Sequence, residues 1–204
     1  MSIRIVSAGG GRIGAGWDPS TRSAYTNAMV ILIAVTVLAA VLLAARWWTT
    51  PYRPGTVALP FPPPLPALLA IALGGVCELV WPTTWAPGPV ATILGAALVA
   101  LSLAVIGAAG IAFRSGGVSP NPGRVVPVVL ERGIFRLSRN PMYVGFLLLA
   151  IGSGVWADSI WIAALAVPAW AVLHFQIVVR EEAYLAGLFP EAYGAYRARV
   201  RRWL

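Results

Sequence analysis

The feature that most limits how this chain can fold is a series of long apolar segments. The first lies at about 24–45, reads AYTNAMVILIAVTVLAAVLLAA and carries no charged residue. Four more follow at about 65–81, 89–113, 141–157 and 159–180, and the last two are separated by only a few residues. A helix needs about 17–25 residues to cross a bilayer. The pattern therefore predicts an all-α membrane protein with about five transmembrane helices, the last two forming a tight hairpin.

The composition points to the same class. Of the 204 residues, 59% are hydrophobic and 11% are charged, whereas soluble proteins average roughly 25% charged residues. All 15 basic residues are arginine, and the net charge is +8. In a membrane protein, arginines in loops set the topology and contact anionic lipids, so we expect membrane lipids, and no nucleic acid, as partners. The single cysteine and single histidine argue against a disulfide within the chain and against a metal site.

Apolar segments and arginines together divide the chain into three parts. Residues 1–23 are predicted to be a flexible N-terminal tail, 24–113 to hold three transmembrane helices, and 114–204 to hold a loop, the helical hairpin and a C-terminal helix. The loops after the first and third segments and the C-terminus are rich in arginine. The positive-inside rule therefore predicts that they face the cytoplasm, although the three arginines of the tail oppose this topology.

A glycine motif in the tail suggests a second type of fold. Gly9, Gly11 and Gly14 fit the pattern G-x-G-x-x-G. A dinucleotide fold also needs a βαβ unit and an acidic residue about 20 positions further on. Because an apolar helix follows here instead, we interpret the motif as part of a flexible tail.

The stretch LSRNPMYVGF at 137–146 combines a helix start with polar side chains. Asn140 suits an N-cap and Pro141 suits the first helical position. The positive end of this helix attracts anions, Arg139 adds a charge, Tyr143 lies one turn further on, and Gly145 leaves room beside it. Two interpretations stay open, a simple helix start and a pocket for a small ligand that bears a carboxylate.

The fifth segment ends in a second group of ionisable residues, His174, Arg180, Glu181 and Glu182. Ionisable groups in or near a membrane span are candidate functional residues. His174 and Glu181 are seven positions apart, so a regular α-helix places them on one face. The alternative is a helix end with solvated charges and a histidine satisfied by a neighbour. Glu78, in the second segment, is predicted to form a structural hydrogen bond to a neighbouring helix.

The C-terminal residues predict a basic amphipathic helix that begins at Pro190. Tyr193, Tyr196, Val200 and Trp203 follow helical spacing and form an apolar stripe, while arginines occupy the other positions. Such a helix lies along the membrane interface. It either anchors the chain there or also covers a cytoplasmic site.

Two sequence blocks resemble a known superfamily, the isoprenylcysteine carboxyl methyltransferases and phospholipid methyltransferases. The first block lies in ERGIFRLSRNPMYVGFLLLAIGSG and resembles the pattern G-(Y/F)-x-x-x-R-(H/N)-P-x-Y-x-G, with one extra residue, Ile134, between Gly133 and Phe135. The second lies in REEAYLAGLFPEAYGAYRARVRRW and resembles E-E-x-x-L-x-x-x-F-G-x-x-Y-x-x-Y. The likeness covers about 115–203. Asn140 stands where the best-known members have histidine, which removes any role that needs an imidazole, and Pro190 stands where glycine is usual.

The resemblance implies an integral membrane enzyme that uses S-adenosylmethionine at a site facing the cytoplasm, formed by the last two spans and the C-terminal region. The residues that it implies for cofactor binding are Leu130, Gly133, Arg139, Asn140, Tyr143, Gly145 and Glu182. The candidate catalytic residues are Arg180, Glu181 and His174. No metal is expected in the reaction.

The acceptor of the methyl group is expected to be a lipid-like molecule that enters from the membrane. An isoprenylcysteine-type carboxylate is the leading candidate, and a phospholipid amine or a small thiol are alternatives. An anionic acceptor needs a nearby cation such as Arg180 or Arg139, whereas an amine needs a proton acceptor such as Glu181, Glu182 or His174. A membrane reductase with a nicotinamide cofactor and a non-enzymatic membrane protein are less favoured, and the oligomeric state stays open.

Overall fold

Every predicted apolar segment forms a helix in the structure, a computed structural model that describes residues 19–49, 55–83, 88–119 and 126–204. The helices are α1 (Pro19–Thr49), α2 (Leu65–Val80), α3 (Pro89–Ser115), α4 (Pro141–Trp156), α5 (Ile160–Val172), α6 (Val179–Leu188) and α7 (Pro190–Arg199). A 3₁₀ turn at Gly133–Arg136 precedes α4, and a π-helical segment at Leu173–Val178 joins α5 to α6. The described residues contain no strand, which confirms the all-α class.

Proline marks several of the helix starts that were predicted. α3 begins at Pro89 and α4 at Pro141, where the missing N–H and the fixed φ angle of proline suit the first turn. α1 begins at Pro19, which is earlier than predicted, so helix extends into the predicted N-terminal tail. The three glycines of the G-x-G-x-x-G motif lie outside the described residues.

Within the described residues, three helices are long and apolar enough to cross a membrane, and they are Ser23–Trp47, Pro89–Ser115 and Ile160–Leu188. Many large apolar side chains of α1 and α3 are exposed, as expected for helices that contact lipid. α2 and α4 are apolar, but each has only 16 residues, slightly below the length of a typical span. Membrane crossing by α2 and α4, and thus the total of five spans, stays a prediction.

Small residues bring α4 close to α3. A Cβ atom added to Gly95 would overlap the backbone nitrogen of Trp156, and one added to Gly152 would lie 2.9 Å from the backbone nitrogen of Val99. Small residues allow such backbone approach between helices in membranes. α4 also packs against α5 and α2, and α2 packs against α1 and α5, so α4 is held on several sides.

The fifth predicted segment is longer than expected and is interrupted by the π-helical turns. α5, the π segment and α6 form one continuous helix of 29 residues. A π-helix has i→i+5 hydrogen bonds, so it turns less per residue than an α-helix. The prediction that His174 and Glu181 share a face is therefore wrong, since His174 stacks against Trp170 whereas Glu181 bonds to Tyr143.

The C-terminal helix is shorter than the predicted stripe. α7 ends at Arg199, and Val200 already has an extended backbone, so Val200 and Trp203 do not continue the helical spacing. Tyr193 and Tyr196 are buried, which means that one side of α7 packs against the protein. The location of α7 at a membrane interface stays a prediction.

Candidate active site

A cavity lies between the N-terminus of α4, helices α6 and α7, and the segments that precede α2 and α4. The volume of this cavity that water-sized molecules can occupy is about 220 Å³. Most of its wall is apolar, with valine, proline and phenylalanine side chains. Its polar lining consists of Ser119, Arg139, Asn140, Tyr143, Glu181, Glu182, Tyr184, Tyr193 and Tyr196.

Asn140 starts α4 through its backbone rather than through its side chain. Its carbonyl oxygen accepts hydrogen bonds from the N–H groups of Tyr143 and Val144, both at 3.1 Å. Its side chain makes no capping bond, and Nδ2 instead donates to the carbonyl oxygen of Arg202 at 3.0 Å. The predicted N-cap position is thus confirmed, but the amide ties the helix start to the C-terminal residues.

Arg139 is buried beside this helix start and is only partly satisfied. Its side chain is 7% exposed, and Nη2 lies 3.2 Å from Oε1 of Glu182. Nε and Nη1 are buried and have no hydrogen-bond partner among the described residues. Buried charged donors without partners are costly, and Arg139 lines the cavity. An anion in the cavity would supply the missing acceptors.

Glu182 lies between two arginines. Besides its contact with Arg139, it accepts hydrogen bonds from Arg202, with Nη2 2.8 Å from Oε2 and Nε 3.2 Å from both oxygens. The hydrogen bond to Glu182 raises the pKa of the Arg202 guanidinium above its usual range. Both oxygens of Glu182 are therefore occupied by protein groups.

Glu181 differs from its neighbour because no arginine among the described residues pairs with it. The hydroxyl of Tyr143 donates to Glu181 and lies 2.8 Å from both carboxylate oxygens. Within the described part of the chain, Glu181 forms no salt bridge. Glu181 therefore lines the cavity as a carboxylate whose one hydrogen-bond partner among the described residues is a tyrosine, and Arg139 lines the same cavity.

Two aromatic residues of the cavity were predicted to lie on the C-terminal amphipathic helix, as anchors or as a cover for the site, and were not among the predicted cofactor-binding residues. Tyr193 and Tyr196 line the cavity, and the hydroxyl of Tyr196 donates to the carbonyl oxygen of Phe135 at 2.7 Å. Burial raises the pKa of Tyr193 to about 12 and also raises the pKa of Tyr196, so both phenols are neutral near pH 7. The second sequence block contains both tyrosines, and this was the signal available for finding them.

Five of the residues predicted to bind the cofactor line the cavity, and they are Leu130, Arg139, Asn140, Tyr143 and Glu182. Gly133 and Gly145 are not among the lining residues. Gly133 begins the 3₁₀ turn with a φ angle of +57°, a conformation that favours glycine. Gly145 faces α3, where an added Cβ would lie 2.6 Å from Cγ1 of Ile106.

The three predicted catalytic residues separate in space. Glu181 lines the cavity, but His174 and Arg180 do not. Nδ1 of His174 accepts a hydrogen bond from Nε1 of Trp203 at 3.3 Å. Arg180 is exposed and donates from Nη2 to Oε1 of Gln176 at 3.1 Å. Among the described residues, no group of three or more His, Cys, Asp or Glu side chains could hold a metal ion.

The fold and the cavity place the chain among helical membrane proteins with a partly charged pocket at one end. Residues 86–192 match the sequence model of the phospholipid methyltransferase family, and the chain belongs to this family. The match includes α3, α4, α5, α6 and the first residues of α7, so it covers most of the cavity.

A curated relative is the cobalt-zinc-cadmium resistance protein CzcN of Cupriavidus metallidurans. The two sequences are 30% identical over 111 residues, which make up 54% of this chain and 47% of CzcN. The chain therefore spans about half the length of this relative. No solved structure matches the chain.

Proposed function

We propose that this protein is an integral membrane methyltransferase that uses S-adenosylmethionine and acts on an acceptor that partitions into the membrane. The observation that carries the proposal is that Arg139, which lines the cavity beside a helix N-terminus, has two buried donors without a partner among the described residues. The family assignment supports methyl transfer, and the apolar helices support a membrane location.

The charges of the cavity suit the amino-acid end of the cofactor. Nε and Nη1 of Arg139 would hold its carboxylate, because guanidinium groups favour carboxylates, and the positive end of the α4 dipole would stabilise its charge. Glu181 would face its positive charge. Tyr193, Tyr196 and the apolar wall offer surfaces for the uncharged adenosine part.

The protein's own contribution to such a reaction is positioning and exclusion of water. When bound, S-adenosylmethionine supplies a methyl group on a positively charged sulfur. Arg139 and Glu182 would fix the orientation of the cofactor, Tyr143 would fix that of Glu181, and the apolar lining would keep water out. Glu181 is the best-placed proton acceptor, since it lines the cavity and has no arginine partner among the described residues.

The charge distribution favours an amine acceptor over the carboxylate that the sequence first suggested. Once Arg139 holds the cofactor, the described lining residues offer no second cation for an anionic acceptor, and Arg180 lies outside the cavity. Glu181 would repel a carboxylate but would stabilise the ammonium group formed from an amine. We therefore propose a membrane-lipid amine, with the isoprenylcysteine-type carboxylate as the second candidate.

The proposed topology has α2 and α4 as further spans and the cavity facing the cytoplasm. The support is the distribution of arginine, since Arg114, Arg132, Arg136 and Arg197 all lie in or next to the segments that build the cavity end. Cytoplasmic loops of membrane proteins carry such an excess.

The test is calorimetry of S-adenosylmethionine with the full chain in detergent, followed by transfer of labelled methyl groups. Saturable binding and label in amine-bearing phospholipid vesicles are expected. The absence of binding would contradict the proposed cofactor. Label in a prenylcysteine carboxylate but not in the amine lipid would keep the methyltransferase and overturn the proposed acceptor.

A further inference from the structure

The last residues of the chain form part of the wall that supports the cavity. After α7, the backbone turns back to the start of α4, where the N–H of Arg139 donates to the carbonyl oxygen of Arg201 at 3.0 Å. The hydroxyl of Ser138 donates to the carbonyl oxygen of Arg202 at 3.3 Å, beside the bond from Asn140. These backbone contacts fix the position from which the Arg202 side chain extends.

The two arginines share Glu182 unequally. Arg202 approaches with two nitrogens, and its shortest contact is 2.8 Å. Arg139 approaches with Nη2 alone, at 3.2 Å from Oε1. A carboxylate that faced Arg139 alone could pair with it through two parallel hydrogen bonds, the geometry that guanidinium and carboxylate groups prefer. Such pairing would engage a nitrogen that now has no partner among the described residues.

We propose that Arg202 is a positioning residue that draws Glu182 away from full pairing with Arg139, so that Nε and Nη1 of Arg139 stay available to an anionic ligand. The inference rests on the proposed function, since the ligand is taken to be the carboxylate of S-adenosylmethionine. Arg202 does not line the cavity, so it acts on the ligand only through Glu182 and Arg139.

This role differs from that of an ordinary structural salt bridge. If the pair of Arg202 and Glu182 only held the tail in place, then removal of either partner would have the same effect, and removal of both would be no better. If Arg202 restrains Glu182, then its loss is harmful only while residue 182 carries a charge that competes for Arg139. Neutralising Glu182 would then repair the loss of Arg202.

The experiment measures the Kd of S-adenosylmethionine by calorimetry for the full chain and four variants in detergent. Arg202→Ala is expected to weaken binding by about tenfold or more, because a charge-assisted pair would close on Arg139. Glu182→Gln is expected to weaken binding less, by about threefold, because an amide binds Arg139 weakly. The double variant is expected to match Glu182→Gln. Arg201→Ala, whose side chain is exposed next to Arg202, serves as the matched control.

Two outcomes would overturn the inference. One is wild-type affinity in Arg202→Ala, and the other is a double variant that binds as weakly as Arg202→Ala. If Arg202→Ala does not fold, Arg202→Lys takes its place, because a single ammonium group holds the carboxylate less firmly, and the same comparison with Glu182→Gln applies. A wild-type chain that fails to bind would instead contradict the proposed function.

Discussion

Two buried glutamates, one at each end of the bundle, belong to hydrogen-bond networks that differ in whether every partner is satisfied. Glu78 is 1% exposed and accepts hydrogen bonds from both the N–H and the hydroxyl of Thr83. Thr83 also accepts from the N–H of Ile160, so this network closes on itself. Glu182 belongs to a network that leaves two donors of Arg139 open. A buried charge is therefore not evidence of a site by itself, and the unsatisfied partner is what separates the two ends.

The largest expected effect concerns the carboxylate that faces the cavity. Glu181→Gln should lower methyl transfer by about 10²-fold, the scale of general-base catalysis, because the amide cannot accept a proton. Binding of S-adenosylmethionine should change much less. Initial rates with labelled cofactor measure this, and Glu78→Gln at the far end should keep the wild-type rate. If Glu181→Gln and Glu78→Gln lost the same share of the rate, then the cavity would not be distinguished from the other end of the bundle as the catalytic site.

At the end of the bundle opposite the cavity, loss of the buried glutamate should lower stability and leave cofactor binding unchanged. Glu78→Ala leaves the N–H and hydroxyl of Thr83 without their acceptor, so the free energy of unfolding should fall by about 1–3 kcal/mol. Denaturation in mixed detergent micelles measures the loss. Cofactor affinity should stay at the wild-type value, and a weakened affinity would mean that the two ends are coupled.

Helix packing offers a comparison between the same two ends. Gly95→Ala would drive a methyl group into the backbone of Trp156, whereas Gly145→Ala would meet mainly the side chain of Ile106. We expect Gly95→Ala to cost about 1–3 kcal/mol and Gly145→Ala to cost less, because a side chain can move.

Unfolding of both variants is compared with Gly107→Ala, where nothing lies within 4 Å of the added atom. This control should be stabilised by roughly 0.5–1 kcal/mol through helix propensity. A larger loss for Gly145→Ala than for Gly95→Ala would contradict the close backbone approach at the far end.

The smallest effect is expected at the anchor of the C-terminal residues. Trp203→Phe keeps an aromatic ring beside His174 and Trp170 but removes the donor to Nδ1 of His174. The free energy of unfolding should fall by about 0.5–1.5 kcal/mol, the value of one hydrogen bond. Trp203→Ala should lose more, because it also removes the ring contacts. Equal losses would mean that the hydrogen bond alone anchors the tail.

Much of the fold could be predicted because its signals are local. Length and apolarity indicate each helix, and proline at 89 and 141 marks where α3 and α4 begin. The π segment could not be predicted, because its sequence LHFQIV carries no proline or glycine. It depends on packing, since Leu173, Ile177 and Val178 are all fully buried. The helical register beyond it was therefore misjudged.

The site could be predicted only in part, because some of its contacts join residues that are far apart in the sequence. The helix start predicted at Asn140 and the family resemblance already indicated Arg139, Tyr143 and Glu182 as residues of one site. The fully buried position of Ser138 and the pairing of Arg202 with Glu182 depend on the return of the C-terminal residues. A basic tail gives no sequence signal for which of its arginines turns inward.

The proposed binding of the ligand depends most directly on the unpaired donors of Arg139, and one binding measurement tests them. S-adenosylmethionine is titrated into the wild type, Arg139→Ala and Arg114→Ala, the last being an exposed arginine at the end of α3. Arg139→Ala should bind about 10–100-fold more weakly, because hydrogen bonds to charged groups contribute roughly 1.5–3 kcal/mol, while Arg114→Ala should bind as the wild type does. Equal binding by all three proteins would contradict the assignment of Arg139 as the anchor of the ligand.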